Sequence, residues 1–168
     1  GTPIEDVRAI METNLIGAIA MTQAFLPGLR KSRGVLVNVS SSVTLAPFPL
    51  LSVYSASKAA LNQFTEALAP ELEPFGVRAR LVLPGQAPDT AFGANAQTRM
   101  TQQGVTVPDA YADFAKPIFD RLFRASAESG ERTRSADVTQ AVWRAVTDPS
   151  CAFRQAAGAD AEKLATAN

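Results

Sequence analysis

The chain has 168 residues, 46% hydrophobic and 19% charged, the balance of a globular domain rather than a disordered segment. Its 16 basic and 16 acidic residues cancel, so no electrostatic footprint points to nucleic acid or an anionic membrane surface. A single cysteine, Cys151, and the lack of any histidine exclude an internal disulfide, a Cys/His zinc site, a Ser-His-Asp triad and a Cys-His dyad within this chain.

Any acid or base working near neutral pH must then be a carboxylate, a tyrosine or a lysine with a shifted pKa. No metal site is expected. The apolar runs are too short to span a bilayer and no signal-peptide pattern opens the chain, so the expectation is a soluble, cytoplasmic protein without membrane or nucleic-acid partners. The length fits a single domain over residues 1–168.

In chain order, Thr2-Pro3-Ile4-Glu5 predicts a helix start, with Thr2 as N-cap, Pro3 at the first helical position and Glu5 completing a capping box. The helix should run to about Leu29, since Val7, Ile10, Met11, Leu15 and Ala18 recur at helical spacing and Pro27-Gly28 should close it. Val35 to Val39 is a short, β-branched apolar run suited to a buried parallel strand. Ser40 to Ser52 reads as a loop, and a second long helix follows from about Val53 to Glu73, kinked or shortened by Pro70. Val77 to Leu83 is another strand, stopped by Pro84-Gly85.

Gln86 to Val107 shows no clear period and reads as a long, functional loop. Helices are expected at about Pro108 to Ala127 and, with Ser135 as N-cap, to about Thr147, before a short strand near Ala152 to Gln155. Alternating helices and buried strands predict an α/β parallel sheet with helices on both faces. Two or three strands are few for a complete sheet of this kind, which points to part of a larger unit.

Tyr54 and Lys58 stand four apart in the second long helix and so share a face. The pair alone is either an ordinary solvated pair or a phenol held beside an ammonium for chemistry. A phenol with an unperturbed pKa of about 10 needs its conjugate base stabilised to act near neutrality. Two unit charges ~4 Å apart interact by ~4 kcal/mol at an effective dielectric of 20, enough to shift that pKa substantially. Ser40 to Ser42 lie at a strand's C-terminal end, where open α/β sheets place their sites.

Ser41 precedes Tyr54 by 13 residues, Asn14 precedes Ser41 by 27, and Asn14-Leu15-Ile16-Gly17 forms an N-x-x-G segment. Together these residues resemble the short-chain dehydrogenase/reductase family, which joins such a serine and asparagine to a Tyr-x-x-x-Lys. The resemblance implies a Rossmann-like fold and an oxidoreductase that moves a hydride between NAD or NADP and a small alcohol or carbonyl substrate. It gives Tyr54 the proton transfer, Ser41 the substrate oxygen, and Lys58 the nicotinamide ribose and the lowering of the tyrosine pKa. Asn14 would hold a water linked to Lys58. Pro84 and Gly85 would lie against the nicotinamide, with Ala87 and Thr90 as candidates for its carboxamide, the threonine one place late after an inserted Pro88. A homo-oligomer, dimer or tetramer, is implied as well.

The likeness covers only the C-terminal half of that fold. The glycine-rich turn that receives a pyrophosphate is not in this sequence. Either the N-terminal half lies outside this sequence, or the chain is a catalytically inactive fragment that acts only in assembly or interaction through its two long helices. Pro47, Phe48, Leu50 and Leu51, with the loop from Ala91 to Val107, are expected to wall a substrate pocket or to pack against a neighbouring helix. Cys151 is expected to be a small buried residue.

Overall fold

The computed structural model describes residues 2–102, 107, 109–118 and 132–167. Its first element is one continuous helix, α1 (Ile4–Met11), a π-helical turn (Glu12–Ile16) and α2 (Gly17–Ser32). Pro3 rather than Thr2 is the N-cap, its carbonyl accepting the Val7 N–H at 3.0 Å, and no side chain caps the helix. Pro27-Gly28 does not end it either. Pro27 lies on an exposed side, where water can satisfy the carbonyl its ring leaves unbonded, and the helix continues to a left-handed Arg33 at φ 50°.

Strand β1 (Val35–Val39) follows, then a short 3-10 turn (Ser42–Thr44) inside the expected loop, and α3 (Ser52–Leu72). Pro70 sits inside α3 without breaking it, and a 3-10 turn, Glu73–Phe75, takes the chain to Gly76 at φ 69°. Strand β2 is Arg78–Pro84 and β3 is Arg154–Ala157. All three strands are parallel in the order β1-β2-β3, with Val39 opposite Val82 and Pro84 opposite Ala157. Their C-terminal ends therefore share one edge of the sheet.

The expected loop from Gln86 contains a helix instead, α4 (Ala91–Gln102). Its alanines and glutamines favour a helix without marking an apolar face, so propensity acted where periodicity was silent. A 3-10 turn over Asp109–Tyr111 leads into a helical stretch over 112–118. The remainder of the helix expected to reach Ala127 lies outside the described residues. α5 (Ser135–Thr147) and α6 (Ala159–Thr166) complete the fold, α6 being unanticipated.

Two packed layers bury β2. On one face Leu72, Val77 and Ala79 meet Leu26, Leu29 and Leu68 of α2 and α3, and on the other Val82 meets Ala141 and Ala145 of α5. Leu81, Val82 and Leu83 are all at most 1% exposed, as expected of a central parallel strand. β1 is an edge strand among the described residues, and beside it a groove of about 460 Å³ runs along α2 past Met21, Phe25 and Leu36. Ile16, Met21 and Phe25 are 47%, 59% and 61% exposed. The helix from Ile4 to Ser32 is, by length and composition, long and apolar enough to cross a membrane, with 6% of its most apolar stretch buried. It meets that measure on mean composition, without one long uninterrupted apolar run, because its apolar residues are spread along the helix between Thr, Asn and Gln.

Candidate active site

Asn14 lies in the π-helical turn, where an extra residue per turn rotates the side chains away from straight α-helical register. Its amide donates to Ser57 Oγ at 3.0 Å, and Ser57, wholly buried, donates to the Tyr54 carbonyl at 2.7 Å. The first long helix is thus tied to the turn of α3 that carries the tyrosine. Ser57 was missed from sequence; three residues after Tyr54 it falls on the same helical face, a signal that spacing could have supplied.

Ser41 caps the short turn after β1, accepting the Val43 N–H at 3.3 Å on its hydroxyl. That extended cap holds the serine in hydrogen-bonding reach of Tyr54. Burial pushes the Tyr54 phenol above its ordinary pKa, and the hydrogen bond with the Ser41 side chain partly offsets the rise. Lys58 Nζ donates to the Val39 carbonyl at 3.1 Å and stands 6.0 Å from the Tyr54 ring centroid. Burial lowers the Lys58 pKa.

The expected lowering of the tyrosine pKa by Lys58 is therefore not what this structure shows. The ammonium is engaged by the end of β1, and desolvation dominates both groups. Ser40 Oγ reaches the Lys58 carbonyl at 3.4 Å and Asn62 Nδ2 donates to Thr44 Oγ1 at 3.0 Å, so α3 is fastened to the strand end at several points.

Pro84 and Gly85 stand at the end of β2, on the same sheet edge as Ser41. The Gly85 N–H reaches both the Ala157 carbonyl and Thr133 Oγ1 at 3.1 Å. Asp160 accepts from the Gln86 N–H at 2.7 Å and from the Thr133 N–H at 3.0 Å. No local pattern could have named Thr133 or Asp160, which act on Gly85 and Gln86 from 48 and 74 residues away. Thr90 is turned back on its own loop, with its hydroxyl donating to the Ala87 carbonyl at 2.8 Å. That internal turn leaves the Ala87 carbonyl and the Thr90 hydroxyl occupied by each other.

Asp89, one residue earlier, accepts from the backbone N–H and hydroxyl of Ser135 at 2.9 and 2.7 Å. Those bonds hold the Asp89 carboxyl below its usual range. Arg134 rather than Ser135 is the N-cap of α5, with Asp137 accepting the Arg134 N–H at 2.8 Å and Asp89 accepting the Ser135 N–H at the first helical position. Phe92 of α4 packs against Tyr54 with ring centroids 6.1 Å apart.

Of the expected pocket walls, Pro47 and Phe48 line a groove of about 380 Å³ with Val43, Ala46 and Pro49, closed by Ser52 and Ser55 of α3. Leu50 and Leu51 do not line it; Leu50 sits at φ 67° in the turn before the helix. Cys151 is half-buried and accepts from Arg80 Nε at 3.3 Å. Among the described residues no cluster of His, Cys, Asp or Glu is arranged to hold a metal.

A parallel sheet with a serine, a tyrosine and a lysine gathered at its C-terminal edge defines a Rossmann-like α/β protein with a polar site beyond the strand ends. Residues 2–101 match the short chain dehydrogenase family. An uncharacterized oxidoreductase of Bacillus subtilis is 37% identical over 138 residues, 81% of this chain and 48% of the relative. The NADPH-dependent 1-acyldihydroxyacetone phosphate reductase of Schizosaccharomyces pombe is 35% identical over 70% of this chain and 39% of its own. A short-chain dehydrogenase structure from Streptomyces avermitilis superposes with a TM-score of 0.77 at 28% identity, covering 99% of this chain and 57% of that one. One from Burkholderia cenocepacia in complex with NADP gives 0.70 at 28% identity, covering 99% and 55%. The chain belongs to the short-chain dehydrogenase family, and it spans 39–57% of the length of these four relatives.

Proposed function

We propose that this chain carries the proton-transfer half of an NAD- or NADP-dependent oxidoreductase acting on an alcohol or carbonyl, folded as one domain within a homo-oligomer. The observation that carries the reading is the gathering of Ser41, at the end of β1, with Tyr54 and Lys58 of α3 at the C-terminal edge of the sheet, Lys58 Nζ standing 6.0 Å from the Tyr54 ring centroid. A buried, neutral phenol is the form that donates a proton to a carbonyl oxygen. Ser41 orients that oxygen with its hydroxyl. Asn14 and Ser57 fix the turn of α3 from which the phenol projects.

The donor set fits the nicotinamide end of the cofactor. Lys58 and Tyr54 offer an ammonium and a hydroxyl to ribose oxygens, and Pro84-Gly85 stands on the same sheet edge. When bound, the nicotinamide supplies or accepts the hydride. Among the described residues no glycine-rich turn is available for the pyrophosphate. Relatives named for very-long-chain 3-oxoacyl-CoA and 1-acyldihydroxyacetone phosphate reduction act on substrates with acyl chains. The apolar groove of Val43, Ala46, Pro47, Phe48 and Pro49 supports a substrate with hydrophobic bulk here too.

Tyr54→Phe should abolish carbonyl reduction while leaving the fold in place, and retained turnover would remove Tyr54 from this role. A second reading is favoured by the exposed Ile16, Met21 and Phe25, namely a fragment that works only in assembly through its long helices. Native mass spectrometry with NADPH and NADH separates the two. A polypeptide with the mass of this chain that binds neither cofactor removes the first, and its association into a complex supports the second.

A further inference from the structure

Gly85 and Gln86, at the end of β2, and Thr133, 48 residues after Gly85, are pinned to each other and to α6. Asp160, in the first turn of α6, accepts from the Gln86 N–H at 2.7 Å and from the Thr133 N–H and hydroxyl at 3.0 and 2.6 Å. Thr133, wholly buried, accepts the Gly85 N–H at 3.1 Å and stands 2.8 Å from the Ala157 carbonyl. Its one hydroxyl proton is shared between that carbonyl and Asp160. The knot is packed without slack: a Cβ on Gly85 would fall 2.2 Å from Asp160 Oδ1, and one on Gly158 2.0 Å from Thr133 Oγ1.

A carboxylate accepting three hydrogen bonds holds its partners more firmly than neutral acceptors would. None of these groups contacts Ser41, Tyr54 or Lys58 in the described hydrogen bonds. Their common object is the backbone of Gly85 and Gln86. We propose that Asp160 and Thr133 are positioning residues that fix the Pro84-Gly85-Gln86 turn as a rigid wall for the nicotinamide ring. The inference rests on the oxidoreductase reading, which places the nicotinamide at that turn.

Asp160→Asn keeps the shape but turns an amide N–H toward the Gln86 N–H or the Thr133 donors. Thr133→Val removes the hydroxyl that receives Gly85, and Thr133→Ser retains it. Calorimetric titration of the full natural protein compares the reduced cofactor it binds, NADH or NADPH, with the matching fragment lacking nicotinamide, ADP-ribose or its 2′-phosphate. Asp160→Asn and Thr133→Val should raise the Kd for the whole cofactor about tenfold, the worth of one net hydrogen bond, while the fragment's Kd stays within about twofold. Thr133→Ser should match the parent. A merely structural role would weaken both ligands together or neither, and either result overturns the proposal. Where Asp160→Asn fails to fold, the Thr133 pair decides. If the parent binds neither NADH nor NADPH, the oxidoreductase reading fails; if it binds one of them and the Thr133 pair binds alike, only the positioning role fails.

Discussion

Gly85→Ala tests the packing of the turn through stability alone. The added Cβ would lie 2.2, 2.3 and 2.4 Å from Oδ1, Oδ2 and Cγ of Asp160, about 1 Å inside ordinary contact. Asp160 cannot swing away freely, because its carboxylate is held by Gln86 and Thr133 and its helix begins at Gly158, itself at φ 95° against Thr133. Relief must break at least one bond to the charged acceptor and distort the rest. At about 1.5–3 kcal/mol for a hydrogen bond to a charged group, a loss of about 3 kcal/mol follows. Urea unfolding measures it, with Asp160→Ala and the double substitution completing a cycle. Once the carboxylate is gone, Gly85→Ala should cost less than about 1 kcal/mol, the coupling expected of groups in contact. A single Gly85→Ala within about 0.5 kcal/mol of the parent, or strict additivity in the double variant, would refute the argument.

Leu81→Ala empties a side chain with no exposure in the central strand, and equilibrium unfolding should show a loss of about 2–5 kcal/mol. Asn14→Ala leaves the buried Ser57 hydroxyl without its incoming donor, and a loss of about 1–2 kcal/mol is expected by the same measurement. Tyr54 has a folded pKa above 10.0, so between that value and the folded pKa the native state holds the extra proton and stability falls as pH rises. Tyr54→Phe should remove that alkaline fall in cofactor-free protein. Lys58 is shifted the other way. Between its lowered folded pKa and 10.5 the unfolded state holds the extra proton and stability rises with pH, a rise that Lys58→Met should flatten in a pH series of unfolding curves.

Interactions that stay within a few turns of chain were legible in the sequence. Tyr54 and Lys58 needed only helical spacing, and β1 and β2 needed only apolar runs between turn residues. The boundaries that slipped did so where a distant group replaced a local signal. Ser135 looked like a cap, yet it is the first helical residue, and its N–H and hydroxyl donate to Asp89 from 46 residues away. α4 was missed because its alanines carry helix propensity without an apolar face. The sign of the tyrosine shift escaped for a different reason: spacing says how close a lysine can come, while desolvation depends on what Phe92 and the sheet edge exclude.

That distinction bears on how the site is built. The groups proposed for proton transfer rest on neighbouring pieces of chain, β1 and α3, joined by Lys58 to Val39 and Ser40 to Lys58. The turn at Pro84-Gly85-Gln86, proposed as the nicotinamide wall, rests instead on the far end of the sequence, through Thr133 and Asp160. Local spacing can therefore place the chemistry, but the geometry of the surface facing it depends on α6 closing against the end of β2. A substitution in α6 can disturb that surface while every residue of the tyrosine motif stays in place.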